Sequence, residues 1–177
     1  MKVNVTTSTI KKLKITEVVR LDPIDVMLED TEPGKGRIVI CCYTKAWTAS
    51  WGCMGERTIA QFFCSFDEHY LAKNLDTEIS ATIEDGDAIV PAAKKEICKM
   101  RRERDIRKNA ARQLWESLDD IDGLTNVELW THSSILAPIF GEDWWHSMPS
   151  RPNPDYEYLC KIIAAVQSGL RMDEVNS

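Results

Sequence analysis

The sequence has no long apolar run. Its longest uninterrupted stretch of aliphatic and cysteine residues extends from Ile38 to Cys42, far short of the roughly 20 residues that cross a bilayer as a helix. The opening residues, Met1 to Ser8, contain no apolar block of the kind that marks a secretory signal. These absences predict a chain that neither spans a membrane nor is exported by that route. In that setting the six cysteines, at 41, 42, 53, 64, 98 and 160, are expected to be reduced and mostly buried thiols rather than a disulfide framework.

Short signatures of chemistry are missing too. No Cys-x-x-Cys or His-x-x-x-His pair occurs, no Gly-x-Gly-x-x-Gly, and no glycine loop followed by Lys-Ser or Lys-Thr, so neither zinc-ligand spacing nor a phosphate loop is present. Gly34-Lys35-Gly36 and Gly52-Cys53-Met54-Gly55 read as turns. There is no internal repeat and no low-complexity tract. With 177 residues, 44% apolar and 28% charged, the composition is that of a globular chain of one domain, 1–177, able to bury a core. Long Asp/Glu runs, which a mimic of the DNA backbone would carry, are absent despite a net charge of −6.

What is present is a strong segregation of charge. Between Lys94 and Arg112 there are nine Lys or Arg against three acids, a net of +6, so the remaining residues sum to −12. Read as helix, this window sets Lys94, Arg101, Arg104 and Lys108 at near-helical spacing, with Lys95, Lys99 and Arg102 as a second row and Arg107 beside them. Such a ridge can engage phosphate or an acidic protein surface. It is more simply a solvated face whose cations pair with Glu96, Glu103 and acids elsewhere. The run itself contains no aromatic residue on which a base would stack.

The apolar pattern gives the fold class. Residues 10–21 alternate, with Leu13, Ile15, Glu17, Val19 and Leu21 on one side, which predicts a half-buried strand. Asp25 to Glu29 and Arg37 to Thr44 follow as strands about the turn Glu32-Pro33-Gly34-Lys35-Gly36, and Trp47, Ala49 and Trp51 share a face of a fourth. Ile59, Phe62, Phe63 and Phe66 then form one stripe of a helix over 57–66, with Thr58 or Glu56 as cap, and Asp67 to Leu75 starts another. Beyond a polar linker at 76–87, Pro91 opens a helix to about Arg104 and Asp105 caps a second, whose buried side holds Ala110, Ala111, Leu114, Trp115 and Leu118. Ser133 or Ser134 caps a helix over 135–140, and Asp155 to Leu170 carries the final stripe. The expected architecture is α+β: an antiparallel sheet of about four strands covered by a helix, in a body at 10–75, followed by a helical part at 88–170.

Three clusters remain as candidates for chemistry. Cys53, Cys64 and His69 lie in one aromatic-rich segment and are weak candidates for metal ligands, since the spacing is poor and a fourth ligand must come from elsewhere. The same thiols with His69, His132 or His146 form possible nucleophile and base pairs, none singled out by the sequence. Asp67-Glu68-His69 is explained more simply by helix capping than by a hydrolytic set. Finally, Trp144 and Trp145, beside Pro149 and Pro152, serve either as interface anchors or as a cover for the core.

The order of residues in three blocks is distinctive. These are Ala46-Trp47-Thr48-Ala49-Ser50-Trp51-Gly52, Met54-Gly55-Glu56-Arg57-Thr58-Ile59-Ala60-Gln61-Phe62-Phe63-Cys64 and Asp67-Glu68-His69-Tyr70-Leu71-Ala72-Lys73-Asn74-Leu75. With Asn153-Pro154-Asp155-Tyr156-Glu157-Tyr158-Leu159-Cys160, the chain resembles, from about Leu13 to Leu170, a family of small accessory proteins of tailed phages and prophages of enteric bacteria. The resemblance implies a phage gene product in the host bacterial cytoplasm that binds a host or defence-system protein, and it carries over no catalytic, ligand or cofactor residues. The functional expectation is therefore a non-enzymatic binding protein without a cofactor. Partner contacts are expected at Lys94, Lys95, Arg101, Arg102, Arg104, Arg107, Lys108, Trp144 and Trp145. Direct nucleic-acid binding through 94–112 is the alternative, followed by a small metal or thiol enzyme built on Cys53, Cys64 and His69.

Overall fold

A computed structural model of the chain describes residues 2–5 and 7–176. In chain order the first elements are β1 Lys11–Ile15, β2 Ile24–Glu32, β3 Lys35–Cys42, β4 Lys45–Trp51, α1 Ile59–Cys64 and α2 Glu68–Leu75. They are followed by β5 Thr82–Glu84, α3 Ile89–Glu103, α4 Lys108–Ser117, α5 Asn126–Leu129, α6 Ser133–Phe140, β6 Ser150–Pro152 and α7 Pro154–Asn176. The fold is α+β, with the four-stranded antiparallel sheet first and helices after it. The chain forms two compact units, one of residues 1–81 with 154–177 and the other of residues 82–153.

The first unit is a meander in the order β1-β2-β3-β4. Alternation puts Ile24, Val26 and Leu28 of β2 opposite Cys42, Ile40 and Ile38 of β3, and all six are buried on one face. Pro33 and Gly34 make the hairpin turn, Gly34 at φ 72°, and its carbonyl accepts from the Met54 amide at 2.8 Å. A Cβ on Gly34 would lie 2.3 Å from the Gly55 carbonyl oxygen, so both conformation and space require glycine. Thr58 caps α1 in a capping box with Gln61, and Asp30 of β2 accepts from the Ile59 amide at 2.7 Å, which anchors the helix to the sheet. Ile59, Phe62 and Phe63 are buried as the stripe predicts, and Asp67 caps α2 by accepting from the Tyr70 amide.

The final helix returns to this sheet. Leu159, Ile162, Ile163, Val166 and Leu170 of α7 are buried in the same core as the strands, so the clean stripe of the sequence serves the first unit, not the helical middle. Gln167, buried among them, donates from Nε2 to the Phe63 and Phe66 carbonyls at 3.0 and 2.8 Å and closes the carboxyl end of α1.

Three local features depart from the pattern of the sequence. The first strand stops at Ile15, because Glu17 and Arg20 adopt φ 63° and the chain must turn to pair Ile15 with Ile24, which leaves Val19 85% exposed. Asp105 does not cap α4. Its amide donates to the Met100 carbonyl at 2.9 Å and closes α3, while Arg107 occupies the cap position of α4. Neither Ser133 nor Ser134 caps α6, which begins at Ser133 after His132 with no capping side chain.

The second unit is framed by the short pair β5–β6, in which Thr82 faces Pro152 and Glu84 faces Ser150. Its core joins Ile89, Val90, Ala93 and Ile97 of α3 to Leu118, Ile121, Leu129, Leu136, Ile139 and Trp144. No helix among the described residues is long and apolar enough to cross a membrane.

Candidate functional site

The basic run folds as two helices and a turn. Burial of Ile89, Val90, Ala93 and Ile97 fixes the inner face of α3, so the Lys and Arg between them fall on its outer sides. Arg104 ends the helix in the left-handed conformation at φ 68°, and Arg101 donates from Nη1 to the Ile106 carbonyl at 2.6 Å, bracing the turn. Helix α4 starts at Lys108 after the extended Arg107, with no side chain accepting from its first amides. Cations thus surround a helix start, where the macrodipole disfavours them.

Between α3 and α4 lies an open groove of about 420 Å³. Ile97, Cys98, Ala111 and Trp115 line it, and Arg101, Lys108 and Arg112 stand around it with Glu116 as the single acid. Trp115 is 41% exposed, whereas its spacing from Leu114 and Leu118 predicts a buried ring. Leu118 is fully buried and Leu114 half-buried, so Trp115 sits at the margin of that stripe and its indole faces outward. Lys94 places its ammonium 5.4 Å from the ring centre, a cation–π contact. The aromatic residue missing from the basic run is therefore supplied three residues beyond it.

The cations of the run are largely unpaired. Among the described residues Lys99 alone of the nine forms an ion pair, with Glu96 at 2.9 Å, and that hydrogen bond holds its ammonium pKa above the usual lysine value. Lys95, Arg102, Arg104 and Arg107 are exposed outside the groove, and Lys94 is half-buried by its ring contact. The solvated face paired with local acids thus accounts for one cation and leaves eight without a carboxylate partner among the described residues.

The two tryptophans separate. Trp144 is 1% exposed and belongs to the core of the second unit, while half-buried Trp145 stacks on Trp130 with ring centres 5.3 Å apart and planes at 29°. Trp130 itself is 52% exposed. Core is thus the role of Trp144, and the outward aromatic surface here belongs to Trp130 and Trp145.

Cys53, Cys64 and His69 have separate surroundings. Cys53 is exposed in the loop before α1, and Cys64 contacts the Gln167 carbonyl at 3.7 Å, with burial raising its thiol pKa. The His69 Nδ1 is 2.8 Å from the Tyr156 hydroxyl. No group of three or more His, Cys, Asp or Glu among the described residues is placed to hold a metal ion. His132 contacts Thr131 Oγ1 and the Glu128 carbonyl, and His146 packs against the Trp145 ring. The hollow beside His69 holds instead Asp67, Glu68, Tyr156, Glu157, Cys160 and Lys161. Burial raises the Cys160 thiol pKa, and burial followed by the Cys160 hydrogen bond pushes the Tyr156 phenol up to about 12. A thiol held protonated is a poor nucleophile.

No curated protein and no solved structure matches the chain. A family model described as a phage family matches residues 3–172. That span takes in the sheet, the two helices carrying the basic run and nearly all of α7, and on its strength the chain belongs to this phage family.

Proposed function

We propose that this phage-family protein is a non-enzymatic accessory protein that binds and modulates a bacterial host protein in the host cytoplasm, a component of antiviral defence being the target class that fits a phage accessory role. The observation that carries the reading is the face of α3 and α4. Arg101, Lys108 and Arg112 border an exposed indole there, Lys94 lies over its ring, and none of the four has a carboxylate partner among the described residues; charge of one sign around an apolar centre is how an interface selects an acidic partner. The adverse charge at the start of α4 supports it, since residues that oppose local stability are commonest where function requires them. The test is co-purification from infected or lysogenic host cells with the wild-type chain and with Arg101→Glu/Lys108→Glu. A partner retained by the first and lost by the second is expected. Retention of the same partner by both, or of none by either, contradicts the reading.

Trp115 favours one second reading, single-stranded nucleic acid held by the cations with a base stacked on the indole. The acidity of the rest of the chain, −12 outside residues 94–112, opposes it by repelling a polyanion. A shift assay at low salt with single-stranded and duplex DNA and RNA is expected to show no retention. Retention that falls steeply with added salt would establish the second reading instead.

A further inference from the structure

We infer that the groove between α3 and α4 receives a short acidic peptide segment bearing one bulky apolar side chain, with the apolar group on Ile97, Ala111 and Trp115 and carboxylates on Arg101, Lys108 and Arg112. The inference rests on the binding role proposed above and names the chemistry of the segment recognised.

The shape sets the first condition. At about 420 Å³ and open to solvent, the groove falls near the lower end of ligand-sized sites, roughly 300–1,000 Å³. It suits a side chain and its flanking backbone better than an engulfed cofactor. The lining sets the second condition. Ile97 is 2% exposed and forms a fixed floor belonging to the core of the unit, while Trp115, 41% exposed, gives a wall with surface left to cover. Such a floor rewards an apolar group and offers a carboxylate nothing.

The rim sets the third condition. Three cations and one acid, Glu116, border the groove, and none of the three cations is neutralised by a carboxylate among the described residues. Arg101 is held in place by its bond to the Ile106 carbonyl, so part of the rim is ordered before a partner arrives and less entropy is lost on binding. A segment with carboxylates on both sides of an apolar residue satisfies floor and rim together. A nucleic acid strand would meet the same rim, but the charge of the rest of the chain, −12 outside residues 94–112, repels a long polyanion more than a short peptide.

The test uses the full chain and fluorescence anisotropy of labelled probes: a short Asp/Glu-rich peptide with a central Phe, the same peptide with Phe replaced by Ser, and a single-stranded oligothymidine. The Phe peptide is expected to bind about tenfold or more tightly than the Ser peptide. It is also expected to lose that advantage in Ala111→Trp, which fills the groove and leaves the cations. Lys108→Glu/Arg112→Glu, exposed changes that do not touch the core, is expected to weaken the Phe peptide by a similar factor and keeps the test decisive if the Ala111 variant does not fold. Equal binding of the two peptides, or tighter binding of the oligothymidine, overturns the inference. If the host partner is lost on charge reversal while the peptides show no discrimination, this inference alone falls. If the partner ignores charge reversal, the underlying binding reading falls.

Discussion

Gln167 shows what one side chain can hold. It is the single buried polar residue among those described, 7% exposed, and its amide nitrogen satisfies two main-chain carbonyls at the end of α1. Gln167→Met keeps the volume and removes both donors, so it is expected to cost about 1–3 kcal/mol, read from urea unfolding. Tyr158 makes a second residue-level case. Its hydroxyl lies 3.4 Å from the Cys42 sulfur, and that hydrogen bond, then burial, pushes the phenol up to about 12. Tyr156 is raised to about 12 as well. Because an unfolded phenol ionises near pH 10, the folded state binds these protons more tightly. The resulting stability is fully present below about pH 10 and is lost as pH rises toward 12. Tyrosinate absorbance should show two of the four phenols titrating near 12, and Tyr158→Phe should remove one of them and flatten the alkaline loss. Trp115 is the residue the sequence misplaces. Helical spacing sets it beside Leu118, but periodicity gives the centre of a buried stripe and not its margin, where a large ring turns out.

At the scale of elements, legibility followed the strength of local chemistry. Thr58 and Asp67 cap α1 and α2 as expected because each precedes a compact apolar block that fixes the helix register. The later caps failed for the opposite reason. The sequence around Asp105 offers several polar starts, and the left-handed Arg104 hands its amide to α3. Alternation ran past Ile15 for a similar cause: the residues of the connection keep a period of two by composition, while the hairpin geometry needs them for the reversal. The start of α4 carries the most informative local conflict. Arg107 stands where an acceptor would stabilise the helix. Arg107→Asp is therefore expected to raise the stability of the second unit by about 0.5–2 kcal/mol and to weaken partner capture. A thermal melt and the co-purification assay check the two halves. A variant that gains stability with no loss of partner would remove the functional explanation for that arginine.

For the whole molecule, chain order and packing diverge. The residues that complete the sheet's core arrive last, in α7, after the entire second unit, Thr82–Asn153, has been inserted. The sequence displayed α7's stripe plainly but not its destination, since periodicity reports that a face is buried without naming what buries it. A chain ending before Pro154 would remove Leu159, Ile162, Ile163, Val166 and Leu170 from the core of the first unit, and is expected to lose the near-ultraviolet dichroism of its packed aromatic residues. Retention of that signal would show that α7 is dispensable. The charge pattern was fully legible, whereas the groove was not, because it exists only once α3 and α4 lie side by side.

Partner binding on α3 and α4 can be read by hydrogen exchange on the chain with and without the host protein that co-purifies with it. Binding there is expected to slow exchange across residues 94–116, most strongly around Arg101, Lys108 and Trp115. Slowed exchange confined to the first unit, with residues 94–116 unchanged, would contradict it.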